Sequence, residues 1–153
     1  MRIELLAPAG DMERLEAAVR YGADAVYLAG SQYGMRAFAG NFDQEALPKA
    51  VDYAHSHGVA VHVAVNANPR NGELDGLPEY FERLQDYGAD ALIIGDPGVF
   101  ALAERYAPKI KRHMSTQAGI TNYAAARFWY DQGASRVILA RELSLDEVAE
   151  LIA

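Results

Sequence analysis

The sequence predicts an α/β fold, an incomplete TIM-type (β/α) barrel with six parallel strand–helix units. This prediction is supported by a short sequence motif that repeats along the chain, called the repeated phrase below. In each copy a helix ends at a glycine and a strand of apolar residues follows directly. The clearest copies are Tyr21-Gly22-Ala23-Asp24-Ala25-Val26 and Tyr87-Gly88-Ala89-Asp90-Ala91-Leu92, and looser copies begin at His57-Gly58 and Gln132-Gly133. Glycine accepts the left-handed conformation that ends a helix, and β-branched runs suit strands buried on both faces. Strict alternation of strand and helix implies a parallel sheet with right-handed crossovers.

Hydrophobic periodicity places six strands and six helices along the chain. The strands are predicted near residues 3–8, 25–29, 59–65, 91–95, 111–116 and 136–140. The helices are predicted near residues 12–21, 44–57, 78–87, 97–106, 122–132 and 145–152. Helix starts are marked by the capping residues Asp11 and Asp43, by Asp96 before a first-turn proline, and by a capping box from Ser144 to Glu147.

A barrel is preferred over a doubly wound sheet because the first strand is followed by Pro8-Ala9-Gly10-Asp11 and not by a Gly-x-Gly-x-x-Gly dinucleotide-binding turn. A complete barrel takes about 250 residues. We therefore expect residues 1–153 to be a single domain holding the first six units, with the last two units and any cysteine-bearing segment outside this sequence.

Composition limits the function. The 153 residues are 51% hydrophobic and 23% charged, which is ordinary globular usage. No stretch approaches the roughly 20 apolar residues that span a bilayer and no signal peptide is visible, so we expect a cytoplasmic protein without a membrane segment. The net charge of −7 argues against a stand-alone nucleic-acid binder. With no cysteine, these residues alone cannot hold an iron–sulfur cluster, and no cofactor is predicted within this chain.

Candidate substrate-binding residues follow the strands, because barrel enzymes build their active sites at the carboxyl ends of the strands. After strand two, Arg36 and Asn41 lie among glycines and aromatic residues, where an anion or a base could bind; alternatively, Arg36 pairs with a carboxylate and the aromatic residues pack. After strand three, the amide of Asn66 could orient a substrate, or it could serve only as a turn residue before Pro69. Asp96 after strand four is better explained as a helix cap.

Strand five is the most polar of the strands. Alternation along a strand would place His113, Ser115 and Gln117 on one face, and polar side chains inside a barrel need partners that a ligand or water can supply. Strand six ends in Arg141 and Glu142, which could hold an anion and act as a base, or could form a simple ion pair at the rim. The chain has no His-Glu-x-x-His, Gly-x-Ser-x-Gly or phosphate-loop motif.

Ordered phrases along nearly the whole chain resemble the U32 peptidase family of collagenase-like proteases. These phrases are Glu4-Leu5-Leu6-Ala7-Pro8-Ala9-Gly10-Asp11, Tyr21-Gly22-Ala23-Asp24-Ala25-Val26-Tyr27, Gly34-Met35-Arg36-Ala37, His113-Met114-Ser115-Thr116-Gln117 and Arg136 to Leu145. Several branches of this family resemble iron–sulfur proteins that hydroxylate RNA bases or act in oxygen-independent quinone hydroxylation. The phrases Asp96-Pro97-Gly98 and Asn122 to Trp129 are similar to the branch that makes 5-hydroxyuridine in tRNA, in which prephenate is implicated. The family's cysteine motif lies beyond Ala153, so the resemblance implies a cluster in the full-length protein and an inactive fragment here.

Three hypotheses follow. The first is an RNA-modifying enzyme in which Arg36, Asn66, Ser115, Gln117 and Arg141 line a pocket for a base or an anionic small molecule. The second is a peptidase, for which Ser115 has only His113 of the same strand as support. The third is a non-catalytic domain that forms a homodimer through the open edges of its first and sixth strands.

Overall fold

The computed structural model describes residues 3–35 and 41–152, and within them six strands alternate with six α-helices. The strands are β1 (Leu6–Pro8), β2 (Ala25–Leu28), β3 (Ala60–Val65), β4 (Ala91–Ile94), β5 (Lys111–Met114) and β6 (Arg136–Val137). The helices are α1 (Met12–Arg20), α2 (Ala46–Ser56), α3 (Leu77–Asp86), α4 (Pro97–Tyr106), α5 (Tyr123–Asp131) and α6 (Leu145–Ile152). Two short 3₁₀ turns, Asn71–Glu73 and Thr116–Ala118, follow β3 and β5.

The six strands form one parallel sheet in the order β1-β2-β3-β4-β5-β6. Each strand therefore pairs with the next one along the chain. A doubly wound sheet would reverse its order at a switch point, whereas a barrel wall keeps the chain order throughout. The prediction of six units of an incomplete TIM-type barrel is confirmed, and the structure is a half-barrel with helices on its outside.

The repeated phrase marks the junctions where a helix ends and the next strand begins. Gly22 after α1 has φ of 85° and Gly88 after α3 has φ of 84°, in the left-handed region that favours glycine. The following residues then enter β2 and β4 within three positions. The phrase predicted from the sequence is thus a helix-stop and strand-start signal in the structure.

The predicted caps form, with one shift in position. Asp11 Oδ1 accepts from the Arg14 backbone N–H at 2.8 Å, and Asp96 Oδ1 accepts from the Val99 N–H at 2.9 Å. The side chains of Ser144 and Glu147 bond reciprocally to each other's backbone N–H groups. Asp43 Oδ1 accepts from the backbone N–H groups of Glu45 and Ala46, and α2 begins at Ala46, two positions later than predicted, after the turn that this side chain closes.

The edge strands are shorter than predicted. β1 spans three residues and β6 spans two, since each has a neighbour on only one side within the described sheet. β5 ends at Met114 because Ser115 begins a 3₁₀ turn. The chain after β6 still follows the sheet, as the Ile138 N–H donates to the Met114 carbonyl at 2.9 Å.

The sheet buries both of its faces in different ways. On the outer face, Val61, Val63 and Leu92 are fully buried against the helices, where Phe81 of α3 contributes the largest buried side chain. On the inner face, the register pairs Ile93 with His113, so these side chains lie on the same side of the sheet. No helix in the described ranges is long and apolar enough to cross a membrane.

Candidate functional site

Four residues from three strand ends meet at the mouth of the half-barrel. Asn66 after β3 accepts the Met35 backbone N–H on its Oδ1 at 3.1 Å, and Gln117 after β5 places its amide Nε2 against the Met35 sulfur. Ser115 at the end of β5 lies beside Gln117. Met35, Asn66, Ser115 and Gln117 are called the mouth cluster below. The structure therefore brings together three of the predicted site residues, Asn66, Ser115 and Gln117.

Local geometry explains how Gln117 reaches Ser115. The Ser115 Oγ lies 3.4 Å from the Gln117 backbone N and 3.4 Å from its side-chain Oε1, and the Ser115 hydroxyl caps the 3₁₀ turn. The strand ends at Met114, so the predicted alternation of His113, Ser115 and Gln117 on one strand face does not extend to Gln117. Ser115 and Gln117 meet through the 3₁₀ turn, whereas His113 contacts His62. Ser115 is 4% exposed, whereas Met35 is 61% exposed over the mouth.

Gly95, directly after β4, makes room for the mouth cluster, and sequence reasoning did not single it out. A Cβ atom at this position would lie 2.7 Å from the Gln117 Oε1 and 3.3 Å from the Asn66 carbonyl oxygen. A glycine between a buried apolar strand and the capping residue Asp96 was the available signal. The absence of a side chain lets the amide of Gln117 cross over β4 toward Met35.

The other predicted site residues lie apart from this cluster. Arg36 falls outside the described residues. Asn41 is half-buried and directly precedes Phe42, whose backbone pairs with Ala29 and Ser31. Arg141 and Glu142 are exposed in the turn after β6, and no hydrogen bond or ion pair joins these two described residues. Asp96 caps α4, the structural role favoured from its sequence context.

A second polar group lies on the inner face nearer the strand starts, and the sequence prediction missed most of it. The rings of His62 and His113 meet edge to face with centroids 4.9 Å apart, and both residues are buried. Across the interior, Glu4 before β1 accepts from the Arg136 guanidinium of β6 at 2.6 Å. A histidine within the valine run of β3 was the available signal for His62.

Burial sets the charge state of these histidines. Desolvation lowers the pKa of His113 to about 4, and it also lowers the pKa of His62. The Nδ1 atoms of both rings are buried without a hydrogen-bond partner in the described structure. Both imidazoles are therefore neutral at pH 7. The hydrogen bond from Arg136 lowers the pKa of Glu4, which keeps that carboxylate charged.

Metal-ligating residues do not gather in the described structure. No group of three or more His, Asp or Glu side chains that could hold a metal ion occurs in residues 3–35 and 41–152. The sequence has no cysteine. These residues therefore do not fit an iron–sulfur cluster, which needs thiolate ligands.

Sequence comparison identifies the family. The profile described as Peptidase family U32 matches residues 10–153. The chain belongs to the U32 peptidase family. Within it, the chain is 41% identical over 148 residues to tRNA hydroxylation protein P1 of Bacillus subtilis (strain 168), covering 97% of this chain and 35% of that protein. This U32 chain thus spans about a third of the length of the curated relatives it matches.

Solved structures agree on the architecture. The U32 peptidase Mk0906 superposes with a TM-score of 0.80 at 16% identity, covering 99% of this chain and 64% of that one. The deoxyribose phosphate aldolase of Aeropyrum pernix, a TIM barrel, superposes with a TM-score of 0.70 at 17% identity, covering 99% of this chain and 70% of that one. At these identities the similarity shows the fold alone.

Proposed function

We propose that the intact protein hydroxylates uridine in tRNA and that residues 1–153 supply most of the substrate-binding mouth of its barrel. The observation that carries this proposal is the 41% identity to a tRNA hydroxylation protein over 97% of the chain. Two further barrel units are proposed to follow in the intact protein and to complete the wall between β6 and β1. A tRNA substrate agrees with a cytoplasmic location.

The mouth cluster has side chains suited to a uracil base. The amides of Asn66 and Gln117 each offer a donor and an acceptor, and the Ser115 hydroxyl offers both. The edge of a uracil base presents two carbonyl acceptors around one N–H donor, so alternating groups of this kind can pair with it. Gln117 is proposed to make the principal contact, because its amide extends across β4 into the mouth.

Charged residues selected from the sequence are proposed to bind the anionic parts of the substrates. Arg36 and Arg141 would pair with a tRNA phosphate or with the carboxylates of prephenate, since guanidinium groups bind such oxygens in pairs. Asn41 is proposed to bind the same substrate, and Glu142 would accept a proton or orient Arg141. An iron–sulfur cluster in the intact protein would take its cysteine ligands from outside these 153 residues.

The test is the 5-hydroxyuridine content of tRNA, measured by mass spectrometry of digested nucleosides. The intact gene is expressed in a strain that lacks uridine hydroxylation, as wild type, as Gln117→Ala and as Gln132→Ala. Gln132 is an exposed amide at the end of α5, away from the mouth, and serves as the matched control. We expect Gln117→Ala to lower the modified fraction roughly tenfold, the effect of one lost hydrogen bond of about 1.4 kcal/mol. A wild-type gene that restores no 5-hydroxyuridine would refute the proposed reaction.

Peptidase activity is the second candidate, because the family carries that name. The Ser115 Oγ makes hydrogen bonds to Gln117, and among the described residues no histidine lies within hydrogen-bond reach of it. A serine nucleophile needs a base within hydrogen-bond reach, so the observed geometry supports this candidate less well. Cleavage of gelatin by the intact protein, lost in Ser115→Ala, would establish it.

The homodimer through the open edges of β1 and β6 stays a prediction. Sedimentation of this chain at increasing concentration tests it, since a dimer through exposed strand edges grows with concentration.

A further inference from the structure

A cleft of about 450 Å³ opens on the rim of the half-barrel between the segments that follow β2 and β3. We call it the rim cleft. Its walls include Gln32, Tyr33, Asn68, Gly72 and Glu73. The rim cleft adjoins the mouth cluster, because Tyr33 and Gly34 of the cleft lead directly into Met35, and Ala67 and Asn68 directly follow Asn66.

The wall that carries Tyr33 is held in place from several sides. The Ala67 N–H donates to the Tyr33 carbonyl at 3.0 Å, and the ring of Tyr33 packs on the ring of Tyr80 with centroids 5.2 Å apart. Its hydroxyl occupies space that a side chain at Gly76 would need, 2.6 Å from an ideal Cβ. Tyr33 has φ of 60°, a left-handed conformation that is unfavourable for a residue with a Cβ and that recurs where structures bind ligands. The cleft is therefore preformed.

The lining selects against anions and for a planar uncharged group. It presents one tyrosine ring, the exposed amides of Gln32 and Asn68, and the carboxylate of Glu73, and none of its described lining residues is basic. A phosphate would meet the Glu73 carboxylate, whose Oε2 accepts the Arg70 backbone N–H at 2.7 Å, and no described lining side chain would supply a cation. A nucleobase instead offers N–H donors to the carboxylate, pairs its edge with the amides and places its face against the aromatic wall.

We propose that the rim cleft binds an unstacked nucleobase of the RNA substrate, adjoining the base that enters the mouth. This inference rests on the proposed RNA-hydroxylating function and adds a second contact to it. Because residues 33–35 and 66–68 run from the cleft to the mouth cluster, occupants of the two sites lie side by side, as neighbouring nucleotides do. A basic peptide side chain is the competing occupant, but it would use the carboxylate and leave both amides unused.

The test titrates the 153-residue chain with a uridine trinucleotide and follows the backbone amides of residues 32–34 and 67–76 by NMR. The variant Gly72→Phe fills the cleft from its wall, since a Cβ at Gly72 meets no atom within 4 Å and its backbone needs no glycine. Asn71→Phe is the matched control, because Asn71 is exposed in the same turn but does not line the cleft. The amide spectra also show that both variants are folded.

We expect the trinucleotide to shift the cleft amides, and we expect Gly72→Phe to weaken its binding about tenfold or more while Asn71→Phe leaves it unchanged. Equal weakening by both variants, or no shift in the wild-type chain, would overturn the proposal. Shifts produced by a trilysine peptide and not by the trinucleotide would also overturn it and would favour a peptide ligand.

The test of the rim cleft can be distinguished from the test of the proposed hydroxylation reaction. If Gly72→Phe weakens trinucleotide binding, the rim cleft is supported as a binding site, even where the intact protein yields no 5-hydroxyuridine. Conversely, normal hydroxylation by an intact Gly72→Phe protein, together with unchanged trinucleotide binding by that variant, would overturn the cleft proposal and leave the reaction in place.

Discussion

The buried histidine pair makes the stability of this chain depend on pH in a calculable way. His113 is 3% exposed and lies against His62, with Lys111 and Arg136 close enough to oppose its protonation and Glu4 close enough to favour it. Its folded pKa is lowered from 6.5 to about 4. As pH falls below 6.5, an unfolded imidazole takes up a proton before the folded one does, so stability is lost between pH 6.5 and about 4.

The size of the effect follows from the two pKa values. With an unfolded pKa of 6.5 and a folded value of about 4, this single group removes about 2 kcal/mol of unfolding free energy between about pH 7 and pH 5. The variant His113→Gln keeps a polar side chain but has no titratable group. Between these pH values the wild type is expected to lose about 2 kcal/mol more unfolding free energy than His113→Gln.

The assay is urea unfolding at several pH values between about 5 and 7, followed by far-ultraviolet circular dichroism. Groups that do not interact with His113 contribute equally to both proteins. Glu4 and His62 interact with His113, so the difference between the two pH profiles reports the titration of His113 together with this interaction. Ile93→Val is the control, because Ile93 pairs with His113 across the sheet and its loss of a methylene lowers stability equally at every pH. Parallel profiles for the wild type and His113→Gln would refute the account of a neutral, buried histidine.

Two smaller predictions concern local packing and capping, both measured as unfolding free energies. Gly76→Ala places a Cβ 2.6 Å from the Tyr33 hydroxyl and is expected to lower the unfolding free energy by about 1–3 kcal/mol. The control Gly72→Ala places its Cβ in open space and should change the unfolding free energy by well under that amount. Equal losses of stability in the two variants would show that the Tyr33 contact is not the cause. Asp96→Ala removes the 2.9 Å bond to the Val99 N–H and is expected to cost about 1 kcal/mol, whereas Asp96→Asn keeps a side-chain acceptor and should lose less.

The positions of helices and strands were predictable because local signals agree with one another. The glycine at each helix end, the capping aspartates and the apolar runs act within a few residues, so Asp11 and Asp96 could be assigned as caps from the sequence alone. The ends of β5 and β6 were not predictable to the residue. Their lengths depend on the 3₁₀ turn at Ser115 and on how many neighbours an edge strand has.

The position of the candidate site in the fold was predictable from the sequence, but the contacts between its side chains were not. The rule that barrel sites lie at strand ends was enough to select Asn66, Ser115 and Gln117, which the structure brings together. Neither the bridging role of Met35 nor the space that Gly95 leaves for Gln117 could be inferred, because both depend on segments separated by tens of residues.

The sequence by itself determined the order of the elements, the parallel sheet and the family. Hydrophobic periodicity, helix caps and the family's ordered phrases are local patterns, each formed by residues close together in the chain. Only the tertiary structure decided that Glu4 meets Arg136 across 132 positions, that His62 meets His113, and that Tyr33 forms the wall of a cleft. Curvature of the sheet brings distant strands onto one inner face, and no local pattern records which side chains meet there.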